Sequence, residues 1–354
     1  MAHPQPTEPS SPSPSGAPTR RHEVPADRDG ERLDRILTDL VPDTSRSRLA
    51  AWIKDGAVRV SGSVVERPSH PVRAGDVLEF EPPGELRRAG GTDPIRILFE
   101  DEHVILLDKP AGVVCHPSDA IAGGTVSEQL VERYGDLPDP HAAAARAWAE
   151  REDDDEALEE AEERYQPRPG IVHRLDARTS GVMIAARSEA AGVRLLEMFA
   201  QREVSKTYHA LVHGEPRFIS DWIESPIQRD PRRPDRMSIA PDGKGRAAET
   251  FYETLERFGL FALVAAHPRT GRTHQIRVHL ESIDLPIVGD TVYTSRRRRK
   301  SLPKEAPKLA RQALHAAKLE LAHPITGEPL VAEAPLANDM QALLEWLRAA
   351  RPSD

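Results

Sequence analysis

The stretch RPGIVHRLDARTSGVMIAA, residues 168–186, constrains the fold of this chain most. It sets one carboxylate, Asp176, among His173, Arg174 and Arg178 and frames the cluster with apolar residues. Ile171 and Val172 before it, and residues 182–186 after it, read as short buried strands, with Thr179, Ser180 and Gly181 as the turn between them. An acid at a strand-to-turn junction inside an apolar frame is held in place, as catalysis requires. A loop-capping Asp paired to Arg174 or Arg178 fits the same residues. The stretch alone does not separate the two.

At 354 residues the chain has room for one large domain, a small one and tails. No apolar run approaches the roughly 18 residues of a membrane span, and no signal-peptide core opens the chain, so a cytoplasmic protein off the membrane is expected. Cys115 is the only cysteine, which rules out an internal disulfide and a cysteine-rich zinc site. A net charge of −9 argues against nucleic acid until its distribution is read. Residues 150–164 alone hold ten acids and two arginines, which leaves the rest near neutral with basic islands at 229–236 and 296–300.

In chain order, residues 1–22 are rich in Pro, Ser and Thr and read as a disordered tail, with order beginning near Glu23. Leu33, Ile36, Leu37 and Leu40 fall at helical spacing, and Thr44 or Ser45 caps a second helix with Arg46, Arg48, Leu49, Trp52 and Ile53. Strands follow at 57–60, 64–65 and 77–80, so residues 23–81 form a small basic α/β module. Residues 82–93 read as a linker. A larger domain spans 94–351, with strands at 97–109, 204–212, 250–256, 260–266 and 314–321. Helices are expected at 125–134, with Val126, Leu130 and Val131 inward, at 188–202, within 267–280 and at 338–351. Residues 227–245 read as an Arg-rich loop, and 138–167 as an acidic insertion without catalytic residues.

The N-terminal pattern ERLDRIL, SRSRLAAWIKDGAVRVSG and VRAGDVLEF resembles the small RNA-binding domain of the ribosomal protein S-four type. From about residue 93 onward, LLDKPAGVVCHP, GIVHRLDARTSGVMIAAR, VSKTYHALVHG, HPRTGRTHQIRVHL, LPIVGDTVY and LHAAKLELAHPITGE resemble the RluA-type pseudouridine synthases, in that order. The resemblance implies an α+β fold with a mixed, largely antiparallel sheet, flanking helices and an RNA cleft. It assigns Asp176 as the catalytic aspartate, Tyr208 as the tyrosine that stacks on the target base, and Arg277 as the basic partner of the aspartate. Arg174 corresponds to an arginine that fills the space left by a flipped base. Cys115 beside His116, the segment LESIDLPIVGD and the acidic insertion depart from the family pattern.

The chemistry suits these residues. Departure of uracil from ribose builds positive charge on the sugar, as in glycoside hydrolysis. An ionised Asp176 either adds to the anomeric carbon or removes the neighbouring ribose proton, and both routes remain open. Neither needs a metal or cofactor. His267, His274 and His279 share a segment but are interleaved with arginines and read as structural or RNA-contacting rather than as ligands. Arg269, Arg272, Arg46 and Arg48 are candidate RNA-backbone contacts. The leading expectation is a monomeric isomerase acting on large-subunit ribosomal RNA. Transfer RNA is the alternative substrate, a non-catalytic ribosome-assembly factor the alternative class, and a glycoside hydrolase lacks a second acid near the motif.

Overall fold

The computed structural model describes residues 20–41, 49–50, 52–53, 56–80, 93–117, 123–142, 167–233, 236–294 and 302–350. The chain divides near residue 88 into two compact units. In the first, strands β1 (Arg20–Glu23), β2 (Val58–Val60), β3 (Ser63–Val64) and β4 (Val77–Phe80) form an antiparallel sheet in the order β1-β4-β2-β3. Helix α1 (Leu33–Leu40) buries Leu33, Ile36 and Leu37 in one core with Val58, Leu78 and Phe80. β1 corrects the expected start of order at Glu23. Arg20, Arg21 and His22 pair with Phe80, Glu79 and Leu78, and backbone hydrogen bonding to an edge needs no apolar side chains. Arg46, Arg48 and residues 82–92 of the expected linker lie outside the described residues.

The second unit is organised by a sheet that holds nine strands among the described residues. Its order is β5 (Arg96–Glu100), β6 (Val104–Lys109), β7 (Ser180–Ala186), β14 (Leu314–Ala322), β8 (Ser205–His213), β13 (Phe261–Pro268), β12 (Glu249–Arg257) and β9 (Ser220–Glu224). β15 (Pro329–Glu333) pairs with β14 off this path. Every pairing is antiparallel except β7 with β14, where His315 and Ala316 lie opposite Ser180 and Gly181. Gly181 has φ +115, and a Cβ there would collide with the Ala316 carbonyl. Only glycine lets the two strands approach so closely.

β7 is buried at all seven positions, as a central strand covered on both faces must be. It begins at Ser180, so the turn expected at 179–181 starts two residues earlier, at Ala177 and Arg178, where Thr179 N–H donates to the Asp176 carbonyl. Ile171 and Val172 are buried but form no strand. Ile171 makes one bridge to Ala185, because the chain must bend away to present residues 173–176.

Among the described residues, helices α2 (Val126–Tyr134), α3 (Glu189–Ala200), α4 (Gln275–Ser282) and α5 (Asn338–Ala349) belong to this unit. Thr125 and Glu128 form a capping box at the start of α2, and the Ser188 hydroxyl caps α3. Val126 and Leu130 of α2 face inward, but Val131 is exposed. The Arg-rich loop contains a hairpin, β10 (Ile227–Arg229) with β11 (Met237–Ile239), that its proline and arginine content concealed. The acidic insertion is closed at its base, where Arg168 N–H donates to Asp139 Oδ2 at 2.6 Å and Gly170 N–H to the Pro138 carbonyl at 2.8 Å. Residues 143–166 lie outside the described residues.

Candidate active site

The segment around Asp176 is fixed at alternate residues, 173, 175 and 177. His173 Nε2 accepts the Ile184 N–H at 3.0 Å, and its ring stacks on Phe199 with centroids 4.6 Å apart. Burial holds this imidazole neutral, with its pKa pushed down to about 3, so His173 is a strut rather than a cation beside Asp176. Leu175 is gripped by Cys115, whose sulfur accepts the Leu175 N–H at 3.3 Å and donates to its carbonyl at 3.2 Å. On the other side, the Ala177 carbonyl accepts from Lys109 Nζ at 3.1 Å and from Gly112 N–H at 2.8 Å. Both neighbours of Asp176 are pinned from the 109–115 loop.

Lys109 is fully buried, and its ammonium also donates to the carbonyls of Pro110 at 2.9 Å and Val113 at 2.8 Å. Three carbonyl dipoles take the place of a counter-ion. Burial lowers its pKa to about 8. The sequence reading missed both roles. The signal was present in the order LDKPAGVVC, but a lysine at the end of an apolar strand reads as a snorkelling surface residue.

The partner of Asp176 comes from far along the chain. Arg277 Nη1 donates to Asp176 Oδ2 at 2.9 Å, while Nε and Nη2 grip Asp290 at 2.7 and 3.2 Å. Neither Arg174 nor Arg178 holds the carboxylate; both are exposed. Asp290 is buried and also accepts the N–H groups of Val292 and Tyr293. Burial opposes its charge, but Arg277 and those N–H groups win and hold its carboxyl below the usual range. Arg277 shows the converse balance, with burial outweighed by Asp290 and Asp176.

Helix α4 delivers Arg277 because its first turn is anchored by Gln275. That buried amide accepts from Thr270 Oγ1 at 2.7 Å and Arg272 N–H at 3.0 Å, and donates to the Glu249 carbonyl at 2.9 Å. His279 bonds Thr250 Oγ1 and the Ser225 carbonyl, and His267 reaches Thr207 and Glu253, so both are structural. His274 is different: its Nε2 lies 3.9 Å from Asp176 Oδ2. Among the described residues, no group of three or more His, Cys, Asp or Glu is arranged to hold a metal ion.

Asp176, Arg277 and Tyr208 line one cleft of about 460 Å3. Arg174, Arg202, Lys206, Arg269 and Arg272 line it too, and Asp176 is the one acid among the described residues of its lining. Arg174 makes no hydrogen bond or ion pair among the described residues. Arg202 and Arg269 each reach Glu249 at 3.5 Å. Burial, then the nearby Asp176 charge, raises the Tyr208 pKa, so the phenol stays protonated at neutral pH. A flat ring with one proton faces an acid held by a guanidinium. Such a site can stabilise a cationic sugar and keep a planar base in place.

This architecture and site define the class. The family described as RNA pseudouridylate synthase matches residues 103–282, and the S4 domain matches residues 31–78. The chain belongs to the RNA pseudouridine synthase family; it is an isomerase with an RNA-binding S4 domain. Its relatives include proteins named ribosomal large subunit pseudouridine synthase D. The one from Xanthomonas campestris is 38% identical, with 93% of this chain and 92% of that protein covered. The one from Escherichia coli K12 is 36% identical, with 90% of this chain and 91% of that protein covered. A solved human structure, RNA pseudouridylate synthase domain containing 4, aligns with TM-score 0.53 and 26% identity over 72% of this chain and 93% of that one.

Two desolvated histidines, His173 and His315, are expected to give the fold a pH dependence. His315 bonds Ser180 Oγ at 2.9 Å and the Ala334 carbonyl at 3.1 Å, and burial pushes its pKa down to about 4. The unfolded chain protonates both His173 and His315 below about pH 6.5, while the folded chain refuses both protons. Their stabilisation is therefore complete above about pH 6.5. It is lost as pH falls towards 4 and 3, by about 1.4 kcal/mol per pH unit for each group. Urea unfolding at pH 7 and pH 5 is expected to show this loss, and His173→Gln to remove its share. Equal stability at the two pH values would contradict it.

Proposed function

We propose that the protein converts uridine to pseudouridine in large-subunit ribosomal RNA, with Asp176 as the catalytic carboxylate. The observation that carries this is the convergence of Asp176, Arg277 and Tyr208 on one cation-lined cleft. The relatives named for the large ribosomal subunit support the choice of RNA. The target uridine leaves its stack and enters the cleft, since the base cannot react while paired. Asp176 then adds to the anomeric carbon or takes the neighbouring ribose proton as the glycosidic bond breaks. Arg277 keeps the carboxylate ionised and in one orientation. Tyr208 stacks on the freed uracil while it turns, and its hydroxyl assists removal of the carbon-5 proton. Arg174 fills the space the base vacates, and Arg269 and Arg272 hold the backbone without reading sequence.

The S4 domain, with Arg46 and Arg48, supplies a second RNA contact. Deleting residues 1–85 is expected to weaken RNA affinity by roughly tenfold to a hundredfold and to relax site choice; unchanged binding in a filter assay would refute it. The assignment itself is tested by mapping pseudouridines in ribosomal and transfer RNA from cells with and without the gene. Loss of large-subunit sites, restored by wild type but not by Asp176→Asn, is the expected result. Loss confined to transfer RNA would overturn the choice of substrate, and no loss anywhere would overturn the enzyme's target class.

A further inference from the structure

Tyr293 does not line the cleft but touches Arg277 and His274, which do. It is buried, and its ring has a guanidinium at each of two contacts: Arg277 at 4.8 Å and Arg236 at 5.1 Å from the ring centroid. Its hydroxyl accepts the Met237 N–H at 2.9 Å and bonds His274 Nδ1 at 2.7 Å. The phenol has one proton to give. If Nδ1 carried hydrogen, the hydroxyl would accept twice and its own proton would have no partner among these groups. With the proton directed to Nδ1, the hydroxyl accepts once and donates once, and Met237 N–H, the phenol proton and Nδ1 all have partners. His274 is then the tautomer with hydrogen on Nε2, the nitrogen that faces Asp176 Oδ2 at 3.9 Å. His274 also sits in the left-handed region, φ 57 and ψ 19, which a non-glycine residue adopts at a cost of about 1 kcal/mol or more. The loop accepts that strain, and the outcome is an imidazole aimed at the carboxylate.

We propose that Tyr293 is a positioning residue for the reaction: it fixes His274 as the Nε2–H tautomer facing Asp176 and carries Arg277 on its ring. The same ring receives Met237 and Arg236 from the β10–β11 hairpin, so the hairpin and the reacting carboxylate rest on one support. Burial keeps the Tyr293 hydroxyl protonated and His274 uncharged. The groups facing His274 are Asp176, Arg174, Arg277, Asp290 and Tyr293. The proposal rests on the assignment of Asp176, because the tautomer matters only if that carboxylate reacts.

The test uses full-length Tyr293→Phe, which keeps the ring and loses only the hydroxyl. At saturating RNA, kcat is expected to fall about tenfold with KM within about threefold. Nitrogen-15 spectra of His274 are expected to show hydrogen on Nε2 in the wild type and a mixture of tautomers in the variant. A kcat within twofold of wild type, or an unchanged tautomer, overturns the proposal. A second pair keeps it falsifiable if Tyr293→Phe folds poorly. Gln at position 274 can bring an N–H towards the Nε2 site, whereas Asn reaches only as far as Nδ1. His274→Gln is thus expected to retain at least about fivefold more kcat than His274→Asn, and the reverse order overturns the proposal. If Asp176→Asn kept its activity, the assignment of Asp176 would fail; if only the Tyr293 and His274 results failed, that assignment would stand.

Discussion

Replacing Asp176 by Asn is expected to lower turnover by at least about a thousandfold while leaving fold and RNA binding nearly unchanged. Asn keeps the shape and can still meet Arg277, but it neither adds to an anomeric carbon nor accepts a ribose proton. The surrounding scaffold does not depend on the charge: Leu175 and Ala177 are held by Cys115, Lys109 and Gly112 through backbone atoms. Arg277 retains Asp290 as its main partner. Single-turnover assays beside RNA-binding and thermal unfolding measurements separate the effects. Turnover within tenfold of wild type would remove Asp176 from the chemistry.

Replacing Arg277 by Met should cost both activity and stability. The guanidinium serves two carboxylates, and Asp290 has no exposed side-chain surface. Removing the cation leaves a buried charge uncompensated, at a cost of about 3–5 kcal/mol. The pH dependence fixes the sign. In the wild type the Asp290 pKa is lowered, so its contribution is present above the unfolded carboxylate pKa and lost as pH falls through the folded value. Without Arg277, burial is opposed only by the Val292 and Tyr293 N–H groups, so the pKa rises from its wild-type position and protonation relieves part of the penalty. The stability gap between variant and wild type is therefore expected to narrow between pH 7.5 and pH 5 in urea unfolding. Arg277→Lys should fall between the two, since one ammonium cannot reproduce the bidentate grip and reach Asp176 as well. A gap that is constant with pH would show that Asp290 does not depend on Arg277.

Much of the fold was legible locally. Helical spacing of Leu33, Ile36 and Leu37 marks the α1 face that is buried, and the alternating and apolar runs mark β6, β8 and β13. The misses have physical reasons. β9 and β15 are edge or off-path strands, so their side chains carry little apolar pattern, with Ile219 and Val331 exposed nearby. Val131 lies at helical spacing with the buried residues of α2, but it is exposed among the described residues. The motif LPIVGDTVY could be singled out, yet nothing in it says that Asp290 and Tyr293 support Arg277.

The sequence by itself determined the residue chemistry: one carboxylate in an apolar frame, an arginine-rich segment, a tyrosine on a strand and the family to which they belong. These are local facts, because periodicity and turn chemistry depend on neighbours a few positions away. Only the tertiary structure decided which groups meet. Asp176 pairs with Arg277 across 101 positions rather than with Arg174 or Arg178 nearby, because β7 and α4 bring those side chains to one cleft. His173 is neutral and Lys109 is charged but dry for the same reason. Charge state and partnership depend on desolvation, and desolvation is set by whichever distant segment covers the group.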